Sequence, residues 1–74
     1  MQFHQQFLLN LGLRIKAKRK GLGLTQVEFA KECRLKPSFC VVLEKGQANL
    51  SFIKLCLIAR LFGQTPSELV RGIE

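Results

Sequence analysis

The hydrophobic residues of this chain recur at the spacing of helices rather than of strands. Leu8, Leu11 and Ile15 repeat every three or four residues, and basic residues mostly occupy the other faces. This pattern predicts a first helix that ends near Gly21, where a Gly-Leu-Gly sequence tolerates the positive φ common at helix C termini. Gly12 lies inside this helix, where glycine costs ~1 kcal/mol relative to alanine, and indicates a close contact with another helix.

Two shorter helical patterns follow, separated by about four residues of turn. Thr25 begins the second helix, and Glu28 three residues later completes a capping box. Lys36 or its neighbour begins the third helix, with Pro37 tolerated at the first helical position, and Gly46 ends it. The expected inward residues are Val27, Phe29, Ala30 and Cys33 in the second helix and Phe39, Cys40 and Leu43 in the third. Adjacent helices of this kind are typical of a helix-turn-helix, in which one helix braces on the DNA backbone and the next enters the major groove.

The last third of the chain predicts two more helices. Ser51 is a good N-cap for a fourth helix over 52–62, which is apolar nearly all round and interrupted only by Lys54 and Arg60. Such a helix is buried on more than one side, either centrally or by a second subunit. A second capping box with proline at the first helical position opens a short fifth helix within 65–70. The expectation is one all-α domain over residues 1–74.

The size and the net charge of the chain limit the kinds of partner that it is expected to bind. The chain has 74 residues and 12 Lys+Arg against 5 Asp+Glu, a formal net charge of +7, with no acid before Glu28. Such an excess of positive charge favours polyanions, above all nucleic acid. No segment approaches the roughly 18 apolar residues of a membrane span, and no signal-peptide cleavage pattern is present, so no membrane partner is expected. A chain this short hides only about 60% of its surface on folding, and the 47% of hydrophobic residues therefore favour burial between two copies.

The side chains that usually carry catalysis or metals are sparse. Cys33, Cys40 and Cys56 are odd in number and lack paired metal-ligand spacing, so we expect small buried hydrophobes in a reducing cytosol. His4 is the one histidine and lies near the terminus, where solvent exposure is expected. The acids are scattered and no nucleophile motif occurs. The sequence therefore predicts a cytoplasmic protein that is not an enzyme and needs no metal or cofactor.

Several motifs in register resemble the Cro and phage-repressor type of helix-turn-helix regulators, the XRE family, from about residue 11 to 69. They are Arg-Ile-Lys-Ala-Lys-Arg ending at Arg19, Gly23-Leu24-Thr25-Gln26, Ala30, Leu35, Leu43-Glu44-Lys45-Gly46, Asn49, Ile58-Ala59, Gly63 and Pro66-Ser67-Glu68-Leu69. The resemblance implies a five-helix, lambda-repressor-like DNA-binding domain of a transcriptional regulator, commonly a homodimer on palindromic operators. Phage Cro proteins and the controller proteins of restriction–modification systems are similarly compact.

The resemblance also implies roles for individual residues. Arg19 and Glu44 are expected to form a partly buried ion pair that ties the first helix to the third. Backbone phosphate contacts are expected at the start of the second helix, in the turn and in the loop after the third helix, from Thr25, Gln26, Arg34, Lys45, Gln47 and Asn49. Gln26 has the alternative of a solvated polar residue, and Asn49 that of a turn or cap residue. Arg34 replaces the glycine that is common in the turn, so it must adopt a left-handed conformation or change the turn.

The third helix departs from the usual composition of a reading helix. Base contacts are expected from its outward residues Lys36, Ser38, Val41 and Val42, with Pro37 beside them, but bidentate readout normally uses Arg, Lys, Asn or Gln. Valine can only pack, for instance on a thymine methyl, so operator spacing and DNA shape must supply part of the specificity. The alternative is a protein-binding surface at Val41 and Val42, in an adaptor or antitoxin-like module with weak or nonspecific DNA binding.

The leading hypothesis is a sequence-specific regulator that binds double-stranded DNA as a homodimer. Its subunits are expected to pack through the fourth helix and the end of the fifth, using Leu57, Leu61, Phe62, Leu69 and Val70. The two reading helices then lie about 34 Å apart, which predicts an inverted-repeat operator.

Overall fold

The computed structural model describes residues 2–73, with side chains from residue 4 onward. Met1 and Glu74, the two ends of the predicted domain, lie outside the described residues. The helices are α1 (Gln2–Gly21), α2 (Gln26–Glu32), α3 (Pro37–Glu44), α4 (Phe52–Leu61) and α5 (Pro66–Val70). The described residues contain no strand, and the predicted all-α, five-helix architecture is confirmed.

Local capping explains where the short helices begin. Thr25 Oγ1 accepts a hydrogen bond from the Glu28 amide at 3.1 Å, and the Thr25 amide donates to Glu28 Oε1 at 2.8 Å. Thr65 and Glu68 repeat this capping box at α5, and Ser51 caps α4. Hydrogen bonds from the backbone and then the side chain of the threonine hold the pKa of each capping glutamate below its ordinary value. The predicted caps are therefore confirmed.

The core lies where all five helices meet. Its largest fully buried side chains are Ile15, Phe29, Cys33, Cys40, Leu43, Ile58 and Leu69. The Phe29 ring stacks on the Phe62 ring with 5.9 Å between centroids, which joins α2 to the end of α4. Val27 was expected to face inward, and this was wrong, because its side chain is 63% exposed.

Glycine allows α1 and α3 to cross closely. A Cβ built on Gly12 would lie 2.5 Å from the Leu43 carbonyl oxygen and 2.8 Å from that of Glu44. The predicted close contact at Gly12 is therefore confirmed, and it is with the backbone of α3. Gly46 has a φ of +75°, and a Cβ there would meet the Leu9 Cα at 2.5 Å. The end of α3 is thus fixed against α1 by two residues that admit no side chain.

The cysteines are free thiols that behave as small apolar residues. Cys33 and Cys40 are buried, and Cys56 is half-buried. Burial raises the pKa of the Cys33 thiol to about 12, with further contributions from Cys40 and Glu32. Burial also raises the pKa of the Cys40 thiol. Raised thiol pKa values suit residues that pack rather than react.

Candidate nucleic-acid interface

The turn between α2 and α3 is built around a strained arginine. Arg34 has a φ of +57°, in the left-handed region that favours glycine. Its amide donates to the Lys31 carbonyl at 3.2 Å, and the Leu35 amide donates to the Ala30 carbonyl at 2.8 Å. Of the two alternatives, the chain therefore adopts the left-handed conformation, and this sharp turn brings α3 across α2 with the Arg34 side chain exposed.

The outward face of α3 is small and mostly apolar. Lys36, Pro37 and Ser38 are exposed at its start. Val42 is 36% exposed and Val41 is half-buried, while Cys40 and Leu43 on the opposite face are buried. The exposed face therefore offers one hydroxyl, one ammonium and two valines to a groove.

Polar groups flank this face on two sides. At the start of α2, Thr25 is exposed and Gln26 is half-buried. In the loop that follows α3, Lys45, Gln47 and Asn49 are all exposed, and Ala48 between them is buried in the core. Because Ala48 anchors the loop, the three polar side chains are held on its outer surface.

A buried ion pair joins the three helices that form the interface. Arg19 Nε donates to Glu44 Oε2 at 2.6 Å, and a second guanidinium nitrogen donates to Glu44 Oε1 at 3.1 Å. Arg19 also donates to the Leu24 carbonyl at 2.7 Å. Gln26 Nε2 donates to Glu44 Oε1 at 3.0 Å. Arg19 and Glu44 are buried, at 7% and 5% exposure.

The contact to Glu44 fixes the orientation of the Gln26 amide. One amide hydrogen points to the carboxylate, which leaves the second hydrogen of the same nitrogen for another acceptor. The network therefore sets the start of α2 relative to α3, and its three members come from α1, α2 and α3. Sequence patterns gave Gln26 no such partner, because the two residues are 18 positions apart.

The residues expected at a subunit contact are less exposed than such a contact requires. Leu69 is fully buried in the core, so its assignment to a dimer surface was wrong. Leu57, Leu61, Phe62 and Val70 are half-buried. The most exposed large apolar side chains of α4 are instead Phe52 and Ile53, at 71% and 72% exposure. Both residues directly follow the Ser51 cap, in the first turn of α4, and this position in the sequence could have indicated their exposure.

No helix in the described part of the chain is both long and apolar enough to span a membrane. Within the same residues, no three His, Cys, Asp or Glu side chains are grouped as metal ligands.

Two helices joined by a tight turn, with an exposed reading face and flanking basic and polar groups, define a helix-turn-helix DNA-binding domain. The sequence profile of the helix-turn-helix family HTH_3 matches residues 15–69. The chain belongs to this family, of the XRE type.

Solved structures agree with this assignment. The restriction–modification controller protein C.AhdI from Aeromonas hydrophila is similar, with 31% identity, a TM-score of 0.78, and coverage of 84% of this chain and 94% of that one. The clp gene regulator ClgR from Corynebacterium glutamicum shares the fold, with 22% identity, a TM-score of 0.76, and coverage of 90% of this chain and 68% of that one. No curated protein sequence matches the chain. The protein is a DNA-binding transcription regulator and not an enzyme.

Proposed function

We propose that the protein binds a specific inverted-repeat operator as a homodimer and thereby controls transcription. The observation that carries this proposal is the exposed face of α3, with exposed or half-buried polar groups at the start of α2 and in the 45–49 loop near its C-terminal end. A major groove accepts a helix of this kind, and phosphates border the groove where the flanking groups lie. The similarity to the restriction–modification controller protein C.AhdI supports a regulatory role.

Base recognition in this proposal rests on shape and apolar contact. Ser38 donates or accepts a single hydrogen bond at a base edge. Val41 and Val42 pack against thymine methyl groups, which distinguish A·T pairs in the major groove. The spacing of the two half-sites and the deformability of the operator supply the remaining selectivity.

Backbone contacts supply most of the affinity. The second amide hydrogen of Gln26, the Thr25 hydroxyl and the exposed side chains of Lys45, Gln47 and Asn49 donate to phosphates. Counterions are released only by the charged contacts, Arg34 and Lys45, which make about four in a dimer, so binding weakens by about a hundredfold between 50 and 200 mM salt.

The dimer in this proposal uses the exposed start of α4. Ile53 and Leu57 are four residues apart, so they share one face of the helix, and Phe52 lies beside them. Phe52 and Ile53 are costly to leave in water, since burying one such side chain contributes about 1.5–3 kcal/mol. The proposal requires a two-fold axis through this face that brings both α3 helices to the same side of the dimer, because an inverted repeat presents its two half-sites on one side of the duplex.

Selection from a random duplex pool at physiological salt tests the reading of DNA. The proposal predicts an enriched inverted repeat with half-sites one helical turn apart, about 10 base pairs. Salt-sensitive binding without an enriched motif would contradict sequence-specific reading. It would favour the adaptor alternative, with a protein partner at Val41 and Val42.

Sedimentation tests the dimer separately. Ile53→Asp is expected to give a monomer at concentrations where the unmodified chain is dimeric, because a charge cannot be buried unpaired at the contact. Leu13→Asp is the matched control, since Leu13 is 54% exposed on α1. A monomeric unmodified chain at concentrations that saturate DNA would refute the homodimer.

A further inference from the structure

An open pocket of about 330 Å³ lies beside the N-terminal end of α3. Its lining residues are Arg34, Leu35, Lys36, Phe39 and Lys54. Three of the five carry positive charge and none carries a carboxylate. Like charges that share a pocket repel one another, and an anion bound between them relieves that repulsion.

The Lys54 side chain is held in a fixed position within the pocket. Its ammonium lies 4.1 Å from the centroid of the Phe39 ring, and the residue is half-buried on α4. A cation–π contact at this distance orients the ammonium without neutralising its charge. The Phe39 ring therefore forms one wall of the pocket with the Lys54 ammonium beside it. The exposed side chains of Arg34 and Lys36 complete the lining.

The turn contributes Arg34 to the lining of this pocket. Arg34 occupies the left-handed region at φ +57°, where glycine would fit without strain. Backbone strain of this kind concentrates at functional sites, where the side chain that causes it has a use. The start of α3 lacks a side-chain cap, whereas α2, α4 and α5 each have one.

We infer that Arg34, Lys36 and Lys54, with Phe39 as the pocket wall, form a phosphate-binding site that receives a backbone phosphate of the bound duplex. This inference rests on the proposed function and adds Lys54 and Phe39 to the interface. It also assigns Lys36 to the backbone rather than to a base.

The dimensions of α3 agree with this site. Its eight residues span about 12 Å at 1.5 Å per residue, close to the ~12 Å width of the major groove. Cations of the new site flank its N-terminal end, and Lys45 follows its C-terminal end. Positive charge therefore lies at both ends of α3, where phosphates at the border of the groove can be reached.

The salt dependence of DNA binding tests the site. Lys54→Met removes the ammonium of each subunit and keeps an unbranched apolar side chain, so for the dimer the slope of log K against log salt should fall by about 1.8, or about 0.9 for each subunit. Lys54→Arg should keep the slope. Arg60→Met is the matched control on the same helix, because Arg60 is exposed and does not line this pocket. A merely structural role for Lys54 would lower stability in a thermal melt and leave the slope unchanged.

The outcomes separate this inference from the proposed function. An unchanged slope for Lys54→Met, with tight binding by the unmodified protein, overturns the phosphate site and leaves DNA recognition standing. Failure of the unmodified protein to bind any duplex overturns both. Titration of the DNA-free protein with inorganic pyrophosphate, followed by NMR signals of Phe39, tests the other source of phosphate. Saturation at micromolar pyrophosphate together with an unchanged DNA slope would assign the pocket to a free ligand and overturn the backbone assignment.

Discussion

Glu44→Ala tests how the interface is held together. The Glu44 carboxylate accepts two hydrogen bonds from Arg19, at 2.6 and 3.1 Å, and one from Gln26 at 3.0 Å. Alanine would leave the Arg19 guanidinium 7% exposed without a counter-charge, and breaking a buried pair in this way costs about 3–5 kcal/mol. At about 0.05–0.15 kcal/mol per residue, the whole domain has only about 4–11 kcal/mol of stability.

The expected result is a domain that is largely unfolded or melts far below the unmodified protein. For a domain of this size each kcal/mol shifts Tm by about 4–8 °C, so the loss should be at least about 12 °C by circular dichroism at matched protein concentration. Glu32→Ala, which removes an exposed glutamate of α2, is the control and should melt normally. The double variant Arg19→Met, Glu44→Leu removes both charges and should recover most of the lost stability. A normal melting curve for Glu44→Ala would refute the reasoning.

Three further predictions follow from the backbone and the caps. Gly12→Ala should lower the free energy of unfolding in urea titrations by about 1–3 kcal/mol, because the alanine Cβ would meet the α3 backbone. Gly21→Ala is the control, since a Cβ there would lie in open space. A similar loss for Gly21→Ala would refute the packing argument. Arg34→Gly should raise stability by about 0.5–1 kcal/mol, as relief of ~1–2 kcal/mol of left-handed strain is partly offset by the backbone entropy of glycine. The same variant should weaken DNA binding, so equal or tighter binding would contradict a role for the guanidinium. Glu28→Gln should flatten the fall in Tm on acidification, because the pKa of the Glu28 carboxyl is lowered in the fold. Its contribution to stability is fully present above the unfolded pKa and is lost as the pH falls through the lower folded pKa. An equal fall in Tm for the two proteins between about pH 5 and pH 3 would exclude that contribution.

Local features of the fold could be predicted because their causes lie within a few residues. Each capping box joins residues three apart, and the proline and glycine signals act through their own backbone. Arg34 shows the limit of such reasoning. Its sequence position identified a conflict in the turn, but only the fold showed that the chain resolves it by a φ of +57°.

Both wrong predictions concern apolar residues, because apolar character alone does not distinguish a core position from an exposed position or from a subunit contact. Val27 precedes the buried Phe29 by two residues, or about 200° around a helix at 100° per residue, so both cannot face the same core. Leu69 is apolar whether it fills a core or a subunit contact, and only the packing of α5 showed that it is fully buried.

The pocket beside α3 was not predicted because its members come together only in three dimensions. Phe39 and Lys54 are fifteen positions apart and belong to α3 and α4. Both had simpler interpretations in the sequence, as a core aromatic and as a charged interruption of an apolar helix. A contact between one aromatic and one charged side chain on two different helices leaves no periodic hydrophobic pattern in the sequence.

The most direct test of DNA reading by α3 is a change of specificity. Duplex selection should be carried out in parallel with the unmodified protein and with Val42→Gln, since Val42 is 36% exposed on the reading face. Glutamine makes a bidentate contact with adenine, so the two enriched inverted repeats should differ at one position in each half-site. Identical motifs from the two proteins, or no enriched motif from either, would contradict the assignment of α3 as the reading helix.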